Sequence, residues 1–316
     1  MSKKILLSGV KPTGKLHIGN YFGAIRQFVA NQSQYDCYFM IADYHALNSV
    51  QNGPEMRSQI LELATDYLAL GLDPKKSVIF KQSDVSAHTE LAWIFDSITT
   101  MPYLMRAHAF KDAEAKDKEI NVGTFNYPML MAADILLYDT DVVPVGQDQK
   151  QHIEYARDTA QKFNNLFGQT FKLPDALIIE SVKTVPGNDG RKMSKSYGNQ
   201  LSIFATDEEI KKFVMSIVTD SGSGVPVNVR AIHELLRDKE YLDRLYAENA
   251  GRYKALKDAL AADLMAFIKP FRESREKFAK NPKKVIKILE RGAKQARKSA
   301  DDTLERAKRN VGVTIS

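Results

Sequence analysis

Short apolar runs alternate with amphipathic stretches along the first half of this chain. Four runs have the length and composition of buried strands, and they lie at residues 5–7, 37–42, 77–80 and 142–145. The stretches between and after them have the apolar spacing of helices, at residues 20–30, 54–70, 90–98 and 127–138. Strands that alternate with helices predict an α/β fold with a mostly parallel, doubly wound sheet. Ligands bind such sheets at the carboxyl ends of the strands.

The pattern changes near residue 190. Beyond Asn199 it is helical, with breaks near residues 221–224 and 281–282. The sequence therefore predicts one domain at residues 1–190 and a C-terminal all-helical domain at residues 191–316.

A helical insertion at about residues 54–125 is predicted inside the first domain. Its segment 93–110 is unusually apolar, which is typical of a buried helix or of a subunit interface. The charged stretch 111–120 that follows is predicted to be a mobile loop.

The loop after the first apolar run has the composition of a phosphate-binding turn. It contains Lys11, Pro12 and Thr13, and a helix is predicted to begin near His17. A strand, a tight loop and a helix N-terminus direct backbone N–H groups and the positive end of the helix dipole at one point. Gly19, in the first helical turn, would let a flat ligand lie against the backbone. From this stretch alone, an ordinary strand-to-helix turn is an equally good interpretation.

The composition fits a protein of roughly two domains, because 44% of its 316 residues are hydrophobic. The single cysteine, Cys37, excludes an internal disulfide framework and is predicted to be a buried thiol. The sequence has no apolar run of about 18 residues that could span a membrane, and its first apolar run is too short for a signal peptide. We therefore expect a soluble, cytoplasmic protein.

The net charge of +6 is concentrated near the end of the chain. Residues 269–309 contain 15 Lys/Arg and 6 Asp/Glu, a net charge of +9, which leaves −3 for the rest of the sequence. A basic C-terminal region on a nearly neutral body predicts a polyanionic partner. Taken alone, a solvated helical face explains the same charges equally well.

Three motifs together change the interpretation. The sequence reads HIGN at residues 17–20 and KMSKS at residues 192–196, a pair that resembles the two signatures of class I aminoacyl-tRNA synthetases. The run MAADIL at residues 131–136 resembles the tryptophan branch of that family. The resemblance covers nearly the whole chain, and the motifs stand in the expected order.

The resemblance implies a fold, an activity and a set of partners. The first domain is expected to be a Rossmann-like catalytic domain, and the basic C-terminal domain is expected to bind tRNA. The implied reaction joins L-tryptophan and ATP into tryptophanyl-adenylate, releases pyrophosphate, and transfers the tryptophanyl group to the 3′ end of tRNA(Trp). The family is dimeric through the region of residues 93–110, so a homodimer is expected.

The implied first step depends on positioning and charge stabilisation, because the attacking carboxylate is already a nucleophile and needs no general base. Two lysines on a flexible loop, Lys192 and Lys195, can close over the departing pyrophosphate. The resemblance adds Lys111, from a further loop, and His17 to this catalytic group. Mg²⁺ would arrive with ATP, and no metal site made only of protein side chains is predicted.

A larger set of residues is carried over from the family as the ATP site. Within it, Gly146 and Asp148 are candidates for the ribose, and Val185 and Met193 for the adenine. The ATP-binding candidates are Lys11, Pro12, Thr13, Gly19, Asn20, Gly146, Gln147, Asp148, Val185, Lys192, Met193, Ser194, Lys195 and Ser196. Three positions depart from the family's common pattern, where relatives have glutamine, histidine and glutamate: Lys11, Asn20 and Gln147.

Selection of the amino acid can be argued from helical spacing. Tyr127, Met131 and Asp134 are spaced i, i+4 and i+7 and share one helix face. A buried carboxylate needs a partner, and an indole N–H is a group that only donates. We therefore expect Asp134 to accept a hydrogen bond from the indole, although it could instead pair with another protein group. The tryptophan-binding candidates are Asp134, Tyr127, Met131, Gln149, His45, Val143 and Val145.

Three other functions remain open at this point. A tyrosine-specific sister synthetase could use the same aspartate, because a phenol also donates, and only the MAADIL run favours tryptophan. A non-catalytic paralogue could bind RNA or tryptophan as a regulator. A small-molecule nucleotidyltransferase could share the first loop. Paired lysines on a phosphate-facing loop argue against the last two.

Overall fold

The computed structural model describes residues 3–107, 110–111, 114, 120–146, 150–178, 185–219 and 224–315. In this part of the chain, five parallel strands form one sheet in the order β3-β2-β1-β4-β5. The strands are β1 Ile5–Val10, β2 Asp36–Ile41, β3 Ser77–Lys81, β4 Val142–Val145 and β5 Asp175–Ile178. The strand order reverses direction between β1 and β4, which creates the switch point of a doubly wound sheet. The α/β prediction is therefore confirmed.

Helices connect the strands, and further helices follow the sheet. Between the strands they are α1 Ile18–Asn20, α2 Arg26–Asn31, α3 Asp43–Ala46, α4 Gly53–Ala69, α5 Ala87–Ile98, α6 Met101–Leu104, α7 Val122–Leu136 and α8 Lys150–Phe167. After the sheet they are α9 Asp207–Ser216, α10 Val227–His233, α11 Lys239–Glu248, α12 Tyr253–Ala279 and α13 Pro282–Val311. A π-helical turn lies at Tyr21–Ile25, and 3₁₀ turns lie at Gln82–Asp84 and Lys195–Tyr197.

The four predicted strands are present, and a fifth was missed. β5 has four residues and no buried side chain, so it lacks the apolar run that marks the other strands. The predicted helix at residues 20–30 is divided by the π-helical turn, which apolar spacing does not reveal. Helix α7 begins five residues before the predicted position, because the Asn121 side chain caps it by accepting a hydrogen bond from Thr124 N at 2.7 Å.

The core lies on both faces of the sheet. Side chains alternate along the strands, so that Leu6 and Phe39 enter one apolar cluster while their neighbours Leu7 and Met40 enter the other. Helices α2, α4 and α12 cover the first face, and α5, α7, α8 and α13 cover the second. Cys37 is buried in the first cluster, as predicted.

The last helix returns to the catalytic half of the chain. Alanines along one face of α13 belong to the second cluster, and the helix backbone meets edge strand β3. The division of the chain at residue 190 stays a prediction, but the packing joins both parts. In the described ranges, no helix is both long and apolar enough to cross a membrane.

A substitution of Gly292 tests this contact. A Cβ added there would lie 1.9 Å from the carbonyl oxygen of Ile79, and a strand backbone cannot move aside cheaply. We expect Gly292→Ala to lower the free energy of unfolding by about 3 kcal/mol or more, as measured by urea denaturation. Gly23→Ala is the control, because nothing lies within 4 Å of its Cβ. Equal stability of the two variants would contradict the close packing of α13 on β3.

Candidate active site

The candidate site lies at the carboxyl ends of β1, β2 and β4. The loop after β1 begins at Lys11, helix α3 follows β2, and Gly146 follows β4. Because parallel strands end at the same edge, these segments converge at the switch point of the sheet. Residues 147–149, and with them the candidates Gln147, Asp148 and Gln149, lie outside the described residues.

The loop after β1, residues 11–17, is shaped by its own backbone. Thr13 N donates to Lys11 O at 2.9 Å, and Gly14 has a φ of +82°, a conformation that favours glycine. Pro12 is buried, whereas Lys11 is exposed. We call residues 11–17 the front loop.

A reciprocal cap starts the helix that follows the front loop. The His17 Nδ1 accepts a hydrogen bond from Asn20 N at 3.3 Å, and the Asn20 Oδ1 accepts one from His17 N at 3.1 Å. This capping box explains Asn20 without a ligand. A Cβ on Gly19 would lie 2.9 Å from His17 Nδ1, so the glycine also serves this tight turn.

His17 is neutral at pH 7. Burial and the nearby Lys195 charge lower its pKa to about 4. A neutral imidazole has one donor and one acceptor, and Nδ1 already accepts. The proton therefore sits on Nε2, which leaves an N–H donor suited to a phosphate oxygen.

The segment around the KMSKS motif, residues 187–199, meets the front loop, and we call it the lysine loop. Lys195 Nζ donates to Thr13 O at 2.5 Å and to Gly14 O at 3.0 Å. The backbone reinforces this contact, since Ile18 N donates to Leu201 O at 3.0 Å. The structure thus brings together two segments that the sequence separates by about 180 residues.

Asn199 organises the lysine loop, and sequence reasoning missed it. Its side chain is 2% exposed; Oδ1 accepts from Ser194 N at 2.9 Å, and Nδ2 donates to Asp189 Oδ1 at 2.7 Å and to Lys192 O at 3.3 Å. A Cβ on Gly187 would lie 2.3 Å from this amide, so the loop is closely packed around it. Its place shortly after the lysines was the available signal.

The remaining ATP candidates divide by exposure. Lys192 and Ser196 are exposed, and the hydroxyls of Ser194 and Ser196 lie 2.8 Å apart. Met193 and Val185, the two adenine candidates, are buried and paired through Met193 N and Val185 O at 2.9 Å. Lys111 is exposed and has a helical conformation.

Asp134 is 3% exposed and has three protein partners in this structure. Its Oδ2 lies 2.8 Å from His45 Nε2, and its Oδ1 lies 2.8 Å from Gln82 Nε2 and 2.6 Å from His88 Nδ1. Burial by itself would raise the pKa of this carboxyl, but the hydrogen bonds and charges of His88 and His45 hold the pKa below its usual range. Asp134 is therefore an ionised acceptor at neutral pH.

The other tryptophan candidates that the structure describes lie on α7, α3 and β4. Met131, Val143 and Val145 belong to the apolar cluster that contains the strand ends. The Tyr127 hydroxyl forms a hydrogen bond with His152 Nε2 at 3.1 Å, and the centres of the Tyr127 and His45 rings lie 6.4 Å apart. Apolar walls with one buried acceptor suit a flat ring that carries a single N–H. Among the described residues, no group of three or more His, Cys, Asp and Glu is placed to hold a metal ion.

The titration of His17 can be measured directly. We expect its imidazole to titrate near pH 4 in an NMR titration of the folded protein, because burial and Lys195 oppose the charged form. The unfolded chain binds the same proton near the ordinary value of 6.5. The stability that this group contributes is therefore complete above pH 6.5 and is lost as the pH falls towards 4.

His17→Asn serves as the control for that titration. Asparagine keeps an oxygen acceptor for the helix cap but has no imidazole to protonate. Urea denaturation at pH 7 and pH 5 should show a smaller loss of unfolding free energy for the variant than for the parent. Titration of His17 near pH 6.5 would contradict a neutral, buried ring.

Comparison with known proteins agrees with this geometry. The family model of class I tRNA synthetases for tryptophan and tyrosine (W and Y) matches residues 2–299. The chain is similar to the tryptophan–tRNA ligase of Fusobacterium nucleatum, with 46% identity over 317 aligned positions and 97% of each chain covered. It is also similar to the crystal structure of tryptophanyl-tRNA synthetase from Campylobacter jejuni complexed with ADP and tryptophan. That match has 42% identity and a TM-score of 0.91, and it covers 98% of this chain and 99% of the other.

These matches span nearly the full length of this chain and of each matched protein, and they include the front loop, the lysine loop and Asp134. The chain therefore belongs to the class I aminoacyl-tRNA synthetases, in the branch of the tryptophan–tRNA ligases.

Proposed function

We propose that this chain forms tryptophanyl-adenylate from L-tryptophan and ATP between the front loop and the lysine loop, and then esterifies the 3′ end of tRNA(Trp). The observation that carries the proposal is the contact of Lys195 with Thr13 and Gly14, beside the His17 ring. It brings a cation, a neutral N–H donor and the backbone of the front loop to one edge of the sheet. A triphosphate is the ligand that such a set suits.

In the first step, a tryptophan carboxylate oxygen attacks the α-phosphorus, and the bond to the β-phosphate oxygen breaks. Pyrophosphate leaves with the bonding electron pair, so negative charge gathers on the departing group. Lys195 rests on main-chain carbonyls and can exchange them for phosphate oxygens, and Lys192 stands exposed on the same loop. Their charges stabilise the transition state, and Mg²⁺ carried by ATP shares the phosphate charge.

We assign the ATP contacts to the candidates that the structure describes. His17 Nε2–H donates to a phosphate oxygen. Gly19 exposes its backbone beside Met193: a Cβ added to Gly19 would lie 3.6 Å from the Cβ of Met193. Met193 and Val185 flank the adenine, and Gly146 approaches the ribose. The roles of Lys111, Gln147 and Asp148 stay predictions from the family resemblance.

Amino acid selection is assigned to Asp134. Its ionised carboxylate accepts from the indole N–H, while Met131 and Val143 pack against the ring. Tyr127 and Gln149 are proposed to hold the ammonium group of the substrate, with His45 at the edge of the ring.

The second step requires tRNA, and we assign its binding to the C-terminal helices of residues 191–316. Basic side chains on exposed faces of α12 and α13 can neutralise phosphates, which makes binding strongly dependent on salt. A homodimer is supported by exposed apolar side chains around α5 and α7: Trp93 is 73% exposed, Met101 67% and Val122 74%. A cytoplasmic location stays a prediction.

Pyrophosphate exchange tests the first step. ATP–pyrophosphate exchange should depend on L-tryptophan and stay at background with L-tyrosine. Lys195→Ala should slow the exchange by roughly 10²-fold, the loss expected when one transition-state donor is removed. The control is Lys254→Ala, since that lysine is 85% exposed and pairs with Asp258 on α12. Exchange driven by tyrosine, or a Lys195→Ala rate within about twofold of the parent, would contradict the proposal.

Binding of L-tryptophan tests the role of Asp134. Asp134→Asn keeps the shape of the side chain but removes its charge, so affinity should fall by about 10- to 100-fold in equilibrium dialysis. Asp139→Asn is the matched control, because Asp139 lies five residues later and pairs with Arg306 at 2.8 Å. Unchanged affinity of the Asp134 variant would refute the indole contact.

A further inference from the structure

Two buried side chains that sequence reasoning passed over hold the Asp134 carboxylate. Gln82 directly follows β3, and His88 lies in the first turn of α5. Both are 0% exposed, and both contact the same atom, Asp134 Oδ1. Neither has a place in the proposed chemistry of ATP, and a buried polar side chain is costly unless it is hydrogen-bonded.

The direction of the Gln82 hydrogen bonds is fixed by its other partners. The Gln82 Oε1 accepts from Tyr44 N at 3.1 Å and from His45 N at 3.4 Å. A backbone N–H can only donate, so the carbonyl end of this amide must face α3 and the NH₂ end must face Asp134. In the 2.8 Å contact, Gln82 Nε2 therefore donates and Asp134 Oδ1 accepts.

The ring of His88 is also held at both of its nitrogens. Its Nδ1 lies 2.6 Å from Asp134 Oδ1, and its Nε2 lies 2.8 Å from the hydroxyl of Tyr138. The Tyr138 O–H can donate to Nε2, which leaves the ring proton on Nδ1, the nitrogen that faces the carboxylate. Phe80 stacks on the imidazole at 6.2 Å and Tyr138 is 0% exposed, so this chain is sealed from water.

The two oxygens of Asp134 therefore have different surroundings. Oδ1 accepts the Gln82 hydrogen bond and lies against His88 Nδ1, and both of these residues are fully buried. Oδ2 instead faces the His45 ring, whose side chain is 11% exposed. A proton on Oδ1 would break one of the buried bonds. The carboxylate is thus held in one orientation, with Oδ2 on the side of the partly exposed His45.

We propose that Gln82 and His88 are positioning residues for amino acid selection: they hold Asp134 as an oriented acceptor, so that Oδ2 distinguishes a ring that carries an N–H from a ring of the same shape without one. This inference rests on the proposed contact between Asp134 and the indole. The two residues act through Asp134, and an acceptor oriented before binding costs no reorganisation when the substrate arrives.

The experiment compares L-tryptophan with its benzothiophene isostere, in which sulfur replaces the ring N–H. For each protein, the ratio of kcat/KM for the two amino acids is measured by pyrophosphate exchange. A wild-type ratio of about 100 or more is expected, because the isostere leaves a buried acceptor unpaired. Gln82→Met and His88→Leu should each lower this ratio at least tenfold, by releasing Asp134 to rotate or to take up a proton.

Gln32→Met is the matched control. Gln32 is also a buried glutamine (6% exposed) with bonds at both ends of its amide: Oε1 accepts from Asp73 N at 2.7 Å and from Ser77 Oγ at 2.9 Å, and Nε2 donates to Gly71 O at 3.1 Å. It lies at the opposite end of β3 from Gln82. Its replacement should cost comparable stability in thermal unfolding yet keep the ratio within about twofold of wild type, since it does not touch Asp134.

His88→Asn supplies a milder variant should His88→Leu not fold. The asparagine amide can still donate near the position of Nδ1, so the ratio should recover towards the wild-type value. The inference is overturned if wild type discriminates but Gln82→Met keeps the full ratio, as does any His88→Leu protein that folds. If wild type itself does not discriminate, the proposed indole contact fails, and the inference fails with it.

Discussion

The hydrogen bonds from Lys195 to the carbonyls of Thr13 and Gly14 join two segments about 180 residues apart. An ammonium group that donates to two main-chain oxygens makes charge-assisted bonds, which are stronger than neutral ones. Backbone pairing of Ile18 with Leu201 holds the same two segments beside it. Without this junction, the front loop and the lysine loop would be separate surface loops. With it, the groups that can stabilise a departing pyrophosphate face one volume.

A second constraint is the negative charge inside the protein. A carboxylate in an apolar cluster is tolerated only if enough donors surround it. Asp134 receives them from three segments that follow β2 and β3, namely the 3₁₀ turn Gln82–Asp84 and helices α3 and α5. The low local dielectric strengthens each of these bonds. Burial therefore makes the charge costly and also holds the carboxylate in one orientation. A fixed orientation is what an acceptor needs to select a ring that carries an N–H.

The C-terminal helices stabilise the fold, in addition to their proposed role in binding tRNA. Helix α13 packs an alanine-rich face on β3 and α5, and Gly292 allows the backbones to touch. Helix α12 is joined to α4 by the ion pair of Arg275 with buried Asp66, at 2.6 Å. The basic faces are thus fixed relative to the sheet.

The sequence by itself determined the alternation of strands and helices, the parallel sheet and the family, because apolar spacing and short motifs are local properties that survive without coordinates. It also placed Lys195 and Gly19 at a common site through that family. It did not reveal β5, whose residues are not buried, or the helical turn widened at Tyr21–Ile25. Only the tertiary structure decided the roles of Asn199, Gln82 and His88. The spacing of Gln82 and His88 carries no signal, because their partners lie on segments about 40 to 50 residues away. Such long-range polar contacts exist only after the apolar clusters have fixed where each segment lies.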